Sequence, residues 1–352
     1  MNRVQNPAQP TKFRRLKLAA VVLTILAVAL FGYLIYAVGF EEILAGVVRF
    51  GLAGFAVILC LYFVRLCLRS LAWKLSIHET DSLAMSDTIP AVIMGEALSS
   101  TLPLGILISG TTKAVAVRNK VPLVTGFSSV ATENLFYSFI TGIFLMLGAG
   151  VFVRSFAVDE SLGLAIDVLI AALGFLILLG LLMVARQWHF ASASVEWLYH
   201  KPPFHGPLEN IRHDVRRFED LIYGFYRRYP RRFLPICGLE ILYHALGVAE
   251  VWIILSRLSD TVPSFLNAFL LESVSRLVTI LFKLVPFVIG VDEAGAQFVA
   301  ETVGLGAGVG VTLAIIRKGR MLFWNAVGFI LIIKRGLSTK EISEAVQQET
   351  RP

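Results

Sequence analysis

The chain has 352 residues, of which 56% are hydrophobic and 16% charged, against roughly 45–50% apolar and about 25% charged in a soluble domain. Mean hydropathy is +0.73, and uncharged apolar stretches recur from Leu18 onward, which leaves no room for a large aqueous catalytic domain. The formal charge of +7, from 32 Lys and Arg against 25 Asp and Glu, sits mostly at the ends of those stretches. That is the distribution of a membrane protein, and with no DNA- or RNA-binding motif beside it the charge argues against a nucleic-acid partner.

In chain order, residues 1–17 carry Arg3, Lys12, Arg14, Arg15 and Lys17 and no acid, and 23 uncharged residues follow from Leu18 to Phe40. A cleavable signal peptide has a shorter apolar core and a small-residue cleavage site, so a retained first span is expected. Further spans are predicted at Phe50 to Trp73, Val121 to Val153, Ser161 to Ala185, Phe233 to Leu258, Val262 to Phe282 and Val303 to Ile333, each reaching the ~20 residues a helix needs to cross. Two apolar stretches are broken: Met85 to Val117 by Pro103, and Leu284 to Val303 by Pro286 and Gly290.

The short loops near Glu41, Glu42 and Arg49, near Arg154, Asp159 and Glu160, and near Arg257 and Asp260 have no basic excess and are expected outside. The segment from Arg186 to Arg232 has nine Lys and Arg against five acids, which predicts a cytoplasmic position. Lys113, Arg118 and Lys120 would be stranded outside if residues 85–117 crossed fully. An all-α polytopic bundle follows, with six full spans and two re-entrant hairpins entering from opposite sides, 85–117 and 262–303. Eight complete crossings are the alternative, and both arrangements place the C-terminus inside. The organisation is a cytoplasmic N-terminus 1–17, a first membrane half 18–185, a linker 186–232, a second half 233–335 and a cytoplasmic tail 336–352.

Glu96-Ala-Leu-Ser99 before Pro103 and Glu272-Ser-Val-Ser275 before Pro286 form a faint internal repeat, of the kind found in transporters built from inverted, discontinuous helices. In the linker, Leu208, Ile211, Val215, Phe218, Ile222 and Phe225 recur at spacings of three and four. They predict an amphipathic helix that packs on the bundle as a connector, with attachment to an anionic leaflet as the alternative.

Ionisable groups within apolar stretches cost roughly 2.5–3.5 kcal/mol each on the insertion scale, yet the chain keeps Arg65, Arg69, Glu96, Glu133, Asp167, Glu240, Glu250, Glu272, Arg276, Lys283, Asp292, Glu293, Arg317, Lys318 and Arg320. Most should therefore line a shared polar interior or sit near an interface. Glu272 and Arg276 have the i,i+4 spacing of a helical ion pair. Glu240 and His244 share that spacing and suit either a hydrogen bond or a proton relay. Arg317, Lys318 and Arg320 follow 14 uncharged residues and precede 13 more, a depth that suits an anionic ligand such as a lipid phosphate, with Glu293 or Glu133 as counter-ion. Snorkelling to an interface is the alternative. Helix N-termini at the broken tips would add backbone N–H groups for the same anion.

No phosphate loop, H-E-x-x-H helix or G-x-S-x-G elbow occurs, and Leu107-Ile-Ser109-Gly110 keeps only the end of a membrane serine-protease motif. His200 and His205 lack further ligands for a metal. Cys60, Cys67 and Cys237 lie in apolar surroundings, where packing is the expected role. Neither catalytic residues, a metal nor a cofactor is predicted.

Arg69-Ser-Leu-Ala-Trp73, Leu102-Pro103 with Gly110 and Lys113, Arg118-Asn-Lys-Val-Pro122 and Glu133 are similar to the flippase-like family named after the lysylphosphatidylglycerol synthase transmembrane region, which includes hopanoid-associated relatives. The run Val285-Pro-Phe-Val-Ile-Gly-Val-Asp-Glu-Ala-Gly295, followed by Gly304-Leu-Gly306, Ala314 and Arg317, carries the resemblance further, over roughly residues 15–335. Ser99, Ser100, Asn134 and Tyr137 depart from the family pattern, and no aminoacyl-transferase domain is present in the chain. The resemblance implies a non-enzymatic, inner-membrane protein that moves an anionic or aminoacylated lipid between leaflets. Its cavity would be lined by Glu96, Pro103, Lys113, Glu133, Glu272, Arg276, Pro286, Gly290, Glu293, Gly295, Arg317 and Arg320. Membrane lipids are the expected partners, with a second copy of the chain or lipid-synthesis enzymes beside them. An intramembrane enzyme acting on a lipid head group and a non-transporting partner of a lipid-synthesis complex are the alternatives.

Overall fold

A computed structural model describes residues 29–77, 83–101, 105–156, 159–200, 205–259, 263–282 and 288–335. The basic N-terminus, the first apolar stretch up to residue 28, Pro103, Lys283, Pro286 and the tail 336–352 lie outside the described residues. Regular structure among the described residues is helical throughout. The helices are α1 (Ala29–Val38), α2 (Phe40–Leu75), α3 (Met85–Thr101), α4 (Gly105–Ala116), α5 (Leu123–Ser155), α6 (Glu160–Arg186), α7 (Phe190–Tyr199), α8 (His205–Arg228), α9 (Pro230–Leu258), α10 (Phe265–Leu281), α11 (Val291–Thr302) and α12 (Ala307–Lys334). By length and apolar composition α2, α5, α6 and α9 are able to cross a membrane, and the chain is a polytopic helical membrane bundle.

The loop expected around Glu41, Glu42 and Arg49 is instead the first part of α2. The chain turns earlier, at Gly39 with φ 99°, and Glu41 and Glu42 occupy the first helical turn, where carboxylates complement the helix dipole. A second left-handed glycine, Gly51 at φ 70°, kinks α2. Beside the kink Arg257 donates to the Phe50 carbonyl at 3.2 Å and Arg49 donates to the Leu258 carbonyl at 3.2 Å, so two long helices are tied together where one bends. The turn expected near Asp159 is present, with Asp159 accepting from the Ser161 N–H at the start of α6.

Both broken stretches fold as helical hairpins, α3 against α4 and α10 against α11. At 12 residues each, α4 and α11 extend about 18 Å, well short of the ~30 Å hydrocarbon core. That length favours re-entrant hairpins over complete crossings. The two hairpins meet across α12, which packs against α3, α11 and α2. Small residues permit the approach: a Cβ at Gly328 would lie 2.9 Å from the Ile93 carbonyl oxygen, and one at Gly310 would strike the Ala296 carbonyl. Beyond this core α6 packs chiefly on α5, and its apolar window is nowhere buried, as befits a helix facing lipid.

The linker is two helices. Glu219 of α8 accepts from the Ala191 and Ser192 N–H groups at 2.9 and 3.1 Å, capping the start of α7 with a negative charge. Ile222 and Phe225 are buried, and Phe225 meets Phe136 edge-on, so this half of the amphipathic face packs on the bundle. The side chains of Leu208 and Ile211 lie outside the described residues. Tyr223 donates to the Trp188 carbonyl at 2.6 Å, and burial pushes its phenol upward. Cys237 is buried but Cys60 is exposed, so only the former packs inside.

Candidate functional site: a charged chamber within the bundle

The α12 helix runs unbroken through its basic cluster, which places Arg317, Lys318 and Arg320 near the middle of the helix. Each meets a carboxylate from a different helix. Arg317 donates to Glu272 of α10 at 2.6 Å, Lys318 to Glu293 of α11 at 2.5 Å, and Arg320 to both oxygens of Glu250 on α9. Arg65 of α2 reaches Glu250 at 3.0 Å and Glu272 at 3.7 Å, and Arg276 closes on Glu272 at 2.7 Å. Glu272 is thus held by three cations. Such pairing offsets the desolvation of buried charge, and deleting one member of a buried pair typically costs about 3–5 kcal/mol.

A second centre forms around Glu133 of α5. It accepts from Arg69 at 2.6 Å and from Lys113 of α4 at 3.2 Å, while Glu96 of α3 lies 4.0 Å from Arg69 and accepts from the Tyr62 hydroxyl at 2.7 Å. Three tyrosines stack on the guanidinium groups: Tyr62 under Arg320 at 4.0 Å, Tyr243 under Arg65 at 4.3 Å and Tyr137 under Arg69 at 4.2 Å. Aromatic faces attract cations more strongly where water is excluded.

Between the two centres lies a chamber of 290 Å³ bordered by Arg69, Glu96, Ser99, Ser100, Tyr137 and Arg276 among others. Side spaces of 130 and 110 Å³ share its Tyr62 and Met321 walls. The 130 Å³ space is faced by Arg65, Arg276, Arg317, Lys318 and Arg320, with Asp292 as the acid on its wall. The partner carboxylates Glu250, Glu272 and Glu293 are 0% exposed, whereas Arg276 is 16% and Arg317 and Lys318 each 14% exposed. Cations therefore line the space and their counter-ions stand behind them. Val288 borders the chamber at φ 48°, a left-handed conformation costly for a β-branched residue, and its carbonyl accepts from Lys318 at 3.4 Å.

Of the residues singled out in the sequence, Glu96, Arg276, Arg317 and Arg320 border the chamber, and Lys113, Glu133, Glu272 and Glu293 form the layer behind it. Two do other work. Gly290 takes φ 78° at the start of α11, and Gly295 lets α11 approach α10, since a Cβ there would meet Val278 at 2.9 Å. Pro103 and Pro286 lie outside the described residues. Glu133 is not a counter-ion of the α12 cluster, because α2 and α4 supply its cations. At α11 the Gly290 N–H is already taken by Glu293 at 2.7 Å, so that donor is not free for a ligand. Glu240 and His244 make no mutual hydrogen bond; His244 pairs with Thr141 at 2.9 Å. Asp167 is exposed on α6, a position near the helix start that an interface tolerates. The role of the tyrosines beneath the guanidinium groups was missed, although Tyr62 precedes Arg65 by three residues and Arg69 by seven, which is one helical face.

Residues 17–328 match the family model described as the lysylphosphatidylglycerol synthase TM region. The chain belongs to that family. It is accordingly an integral, multi-pass membrane protein of the lysylphosphatidylglycerol synthase TM family, and the matched segment contains every helix that builds the chamber except the end of α12. No curated protein and no solved structure matches the chain.

Proposed function

We propose that this protein translocates a lipid with an anionic head group between the leaflets of the cell membrane, with both termini cytoplasmic. The observation that carries the reading is the chamber wall: cations face the space and their carboxylates are buried behind, which leaves donors directed at a phosphate. An amphipath suits the surroundings better than a free anion. Ser138 of α5 borders both the polar chamber and an apolar groove of 320 Å³ between α5 and α6, so a head group in the chamber and an acyl chain in the groove are adjacent. The short helices of the two hairpins supply the half-crossing elements on which alternating-access carriers rely.

The test is a leaflet-resolved assay in proteoliposomes with anionic, aminoacylated and polyisoprenoid lipids, comparing wild type with Arg317→Gln and with Asp167→Asn as an exposed control. Arg317 is chosen because Glu272 keeps Arg65 and Arg276 when it is removed, which protects the fold. Loss of movement by about tenfold or more in Arg317→Gln, with the control unchanged, is expected; one interaction of about 1.4 kcal/mol corresponds to that factor. No movement of any lipid by folded wild type would overturn the proposal and turn attention to an intramembrane enzyme or a non-transporting partner of a lipid-synthesis complex.

A further inference from the structure

Among the described residues, one buried carboxylate has neither an ion pair nor a hydrogen bond. Glu240, on α9, is 1% exposed, and neither carboxylate oxygen has a hydrogen-bond partner among the described residues. Arg69 on α2, Glu133 and Tyr137 on α5 and Lys113 on α4 lie within electrostatic range of it, as does Cys237 on its own helix, where His244 is four residues on. Arg276 of α10 lies within electrostatic range of His244. Among these groups Arg69 and Lys113 are already matched by Glu133 and Glu96. An ionised Glu240 would be a third acid against two cations, without a donor to either oxygen, in surroundings that penalise isolated charge heavily. His244 offers no relief, since its Nε2 meets Thr141 and its Nδ1 has no partner among the described residues.

We infer that Glu240 is a proton-binding site whose occupancy is linked to that of the anion chamber. Apart from Glu240, the two charged centres hold seven basic side chains against six acids. With Glu240 protonated the chamber region carries one excess positive charge, the complement of a single phosphodiester anion. When Glu240 releases its proton to water and becomes a carboxylate, the excess is cancelled and the attraction for the anion weakens. Linkage is reciprocal: the anion stabilises the proton on Glu240, and the proton stabilises the anion. Proton and head group therefore bind together, with the same sign of coupling. This rests on the lipid reading for the identity of the anion but not for the proton site itself.

The experiment uses the full chain in nanodiscs and two readouts. Infrared spectroscopy at neutral pH is expected to show the C=O stretch of a protonated carboxylic acid that is absent in Glu240→Gln, a variant that keeps the shape of the neutral acid. Calorimetric titration with dihexanoyl phosphatidylglycerol is expected to show wild-type affinity falling by about tenfold as pH rises above neutrality, within the usual range of coupling between sites, while Glu240→Gln binds without that dependence. Absence of the band in wild type, or its persistence in Glu240→Gln, overturns the proton site. An equal pH dependence in both forms overturns the linkage. If neither form binds the probe at any pH, the linkage and the lipid reading fall together, while loss of the band still upholds the proton site. Should the variant not fold, the wild-type band must fade over the same pH interval in which affinity falls; separate intervals overturn the proposal.

Discussion

Glu272 shows how one residue can hold a polar interior together. Its two oxygens receive Arg276 at 2.7 Å and Arg317 at 2.6 Å, and Arg65 stands 3.7 Å away. Replacing it leaves three guanidinium groups with one buried counter-ion fewer, and such an uncompensated charge costs about 3–5 kcal/mol. Glu272→Gln should therefore lower thermal stability in detergent sharply, whereas Arg317→Gln should lower it much less; a fluorescence-monitored thermal scan of both variants checks the order. The i,i+4 pairing of Glu272 with Arg276 was legible from spacing alone, because a helix brings those positions onto one face. The counter-ions of Arg317, Lys318 and Arg320 were legible only for Glu293, since each comes from a different helix far away in the chain.

At the scale of elements, close packing and capping divide the labour. The α12 helix approaches α3 and α11 at Gly328 and Gly310, where an added Cβ meets backbone carbonyls; membrane helices pack closely through small residues in this way. Gly328→Val should separate α12 from α3 and abolish both folded yield and lipid movement, while Gly180→Val on α6, where an added Cβ meets nothing within 4 Å, should leave folded yield unchanged. Size-exclusion profiles of the two purified variants distinguish these outcomes. Capping belongs to the linker: Glu219→Gln weakens the charged acceptor at the start of α7 and should cost about 1 kcal/mol of local stability, detectable as faster amide exchange at Ala191 and Ser192 with transport unaffected. The hairpins were foreseen from Pro103, Pro286 and Gly290, but the continuity of α2 through Glu41, Glu42 and Arg49 was not. Charged residues read as a loop in a hydropathy profile even when a helix carries them to an interface.

For the whole molecule, the chamber predicts water access inside an apolar bundle. With the native cysteines replaced, Ser99→Cys, which borders the chamber, should react with a membrane-impermeant thiol reagent from one side of the membrane and be protected by a short-chain anionic phospholipid. A cysteine at the exposed α6 position Leu176, which faces lipid, should react slowly from either side. Labelling of both at equal rates would contradict a single polar chamber.

Composition and hydropathy were enough to establish a helical membrane protein, because transfer into lipid depends on local apolar content and requires each backbone segment to satisfy its own hydrogen bonds. The cost of buried charge was enough to establish a polar interior, because fifteen ionisable side chains within apolar stretches cannot all face lipid. The assignment of partners was decided by the tertiary structure. Which carboxylate meets which cation, which tyrosine lies under which guanidinium, and that Glu240 has no hydrogen-bond partner among the described residues are matters of three-dimensional proximity. Ion pairing falls off over a few ångströms, and helices far apart in the chain come within that range only when the bundle has packed.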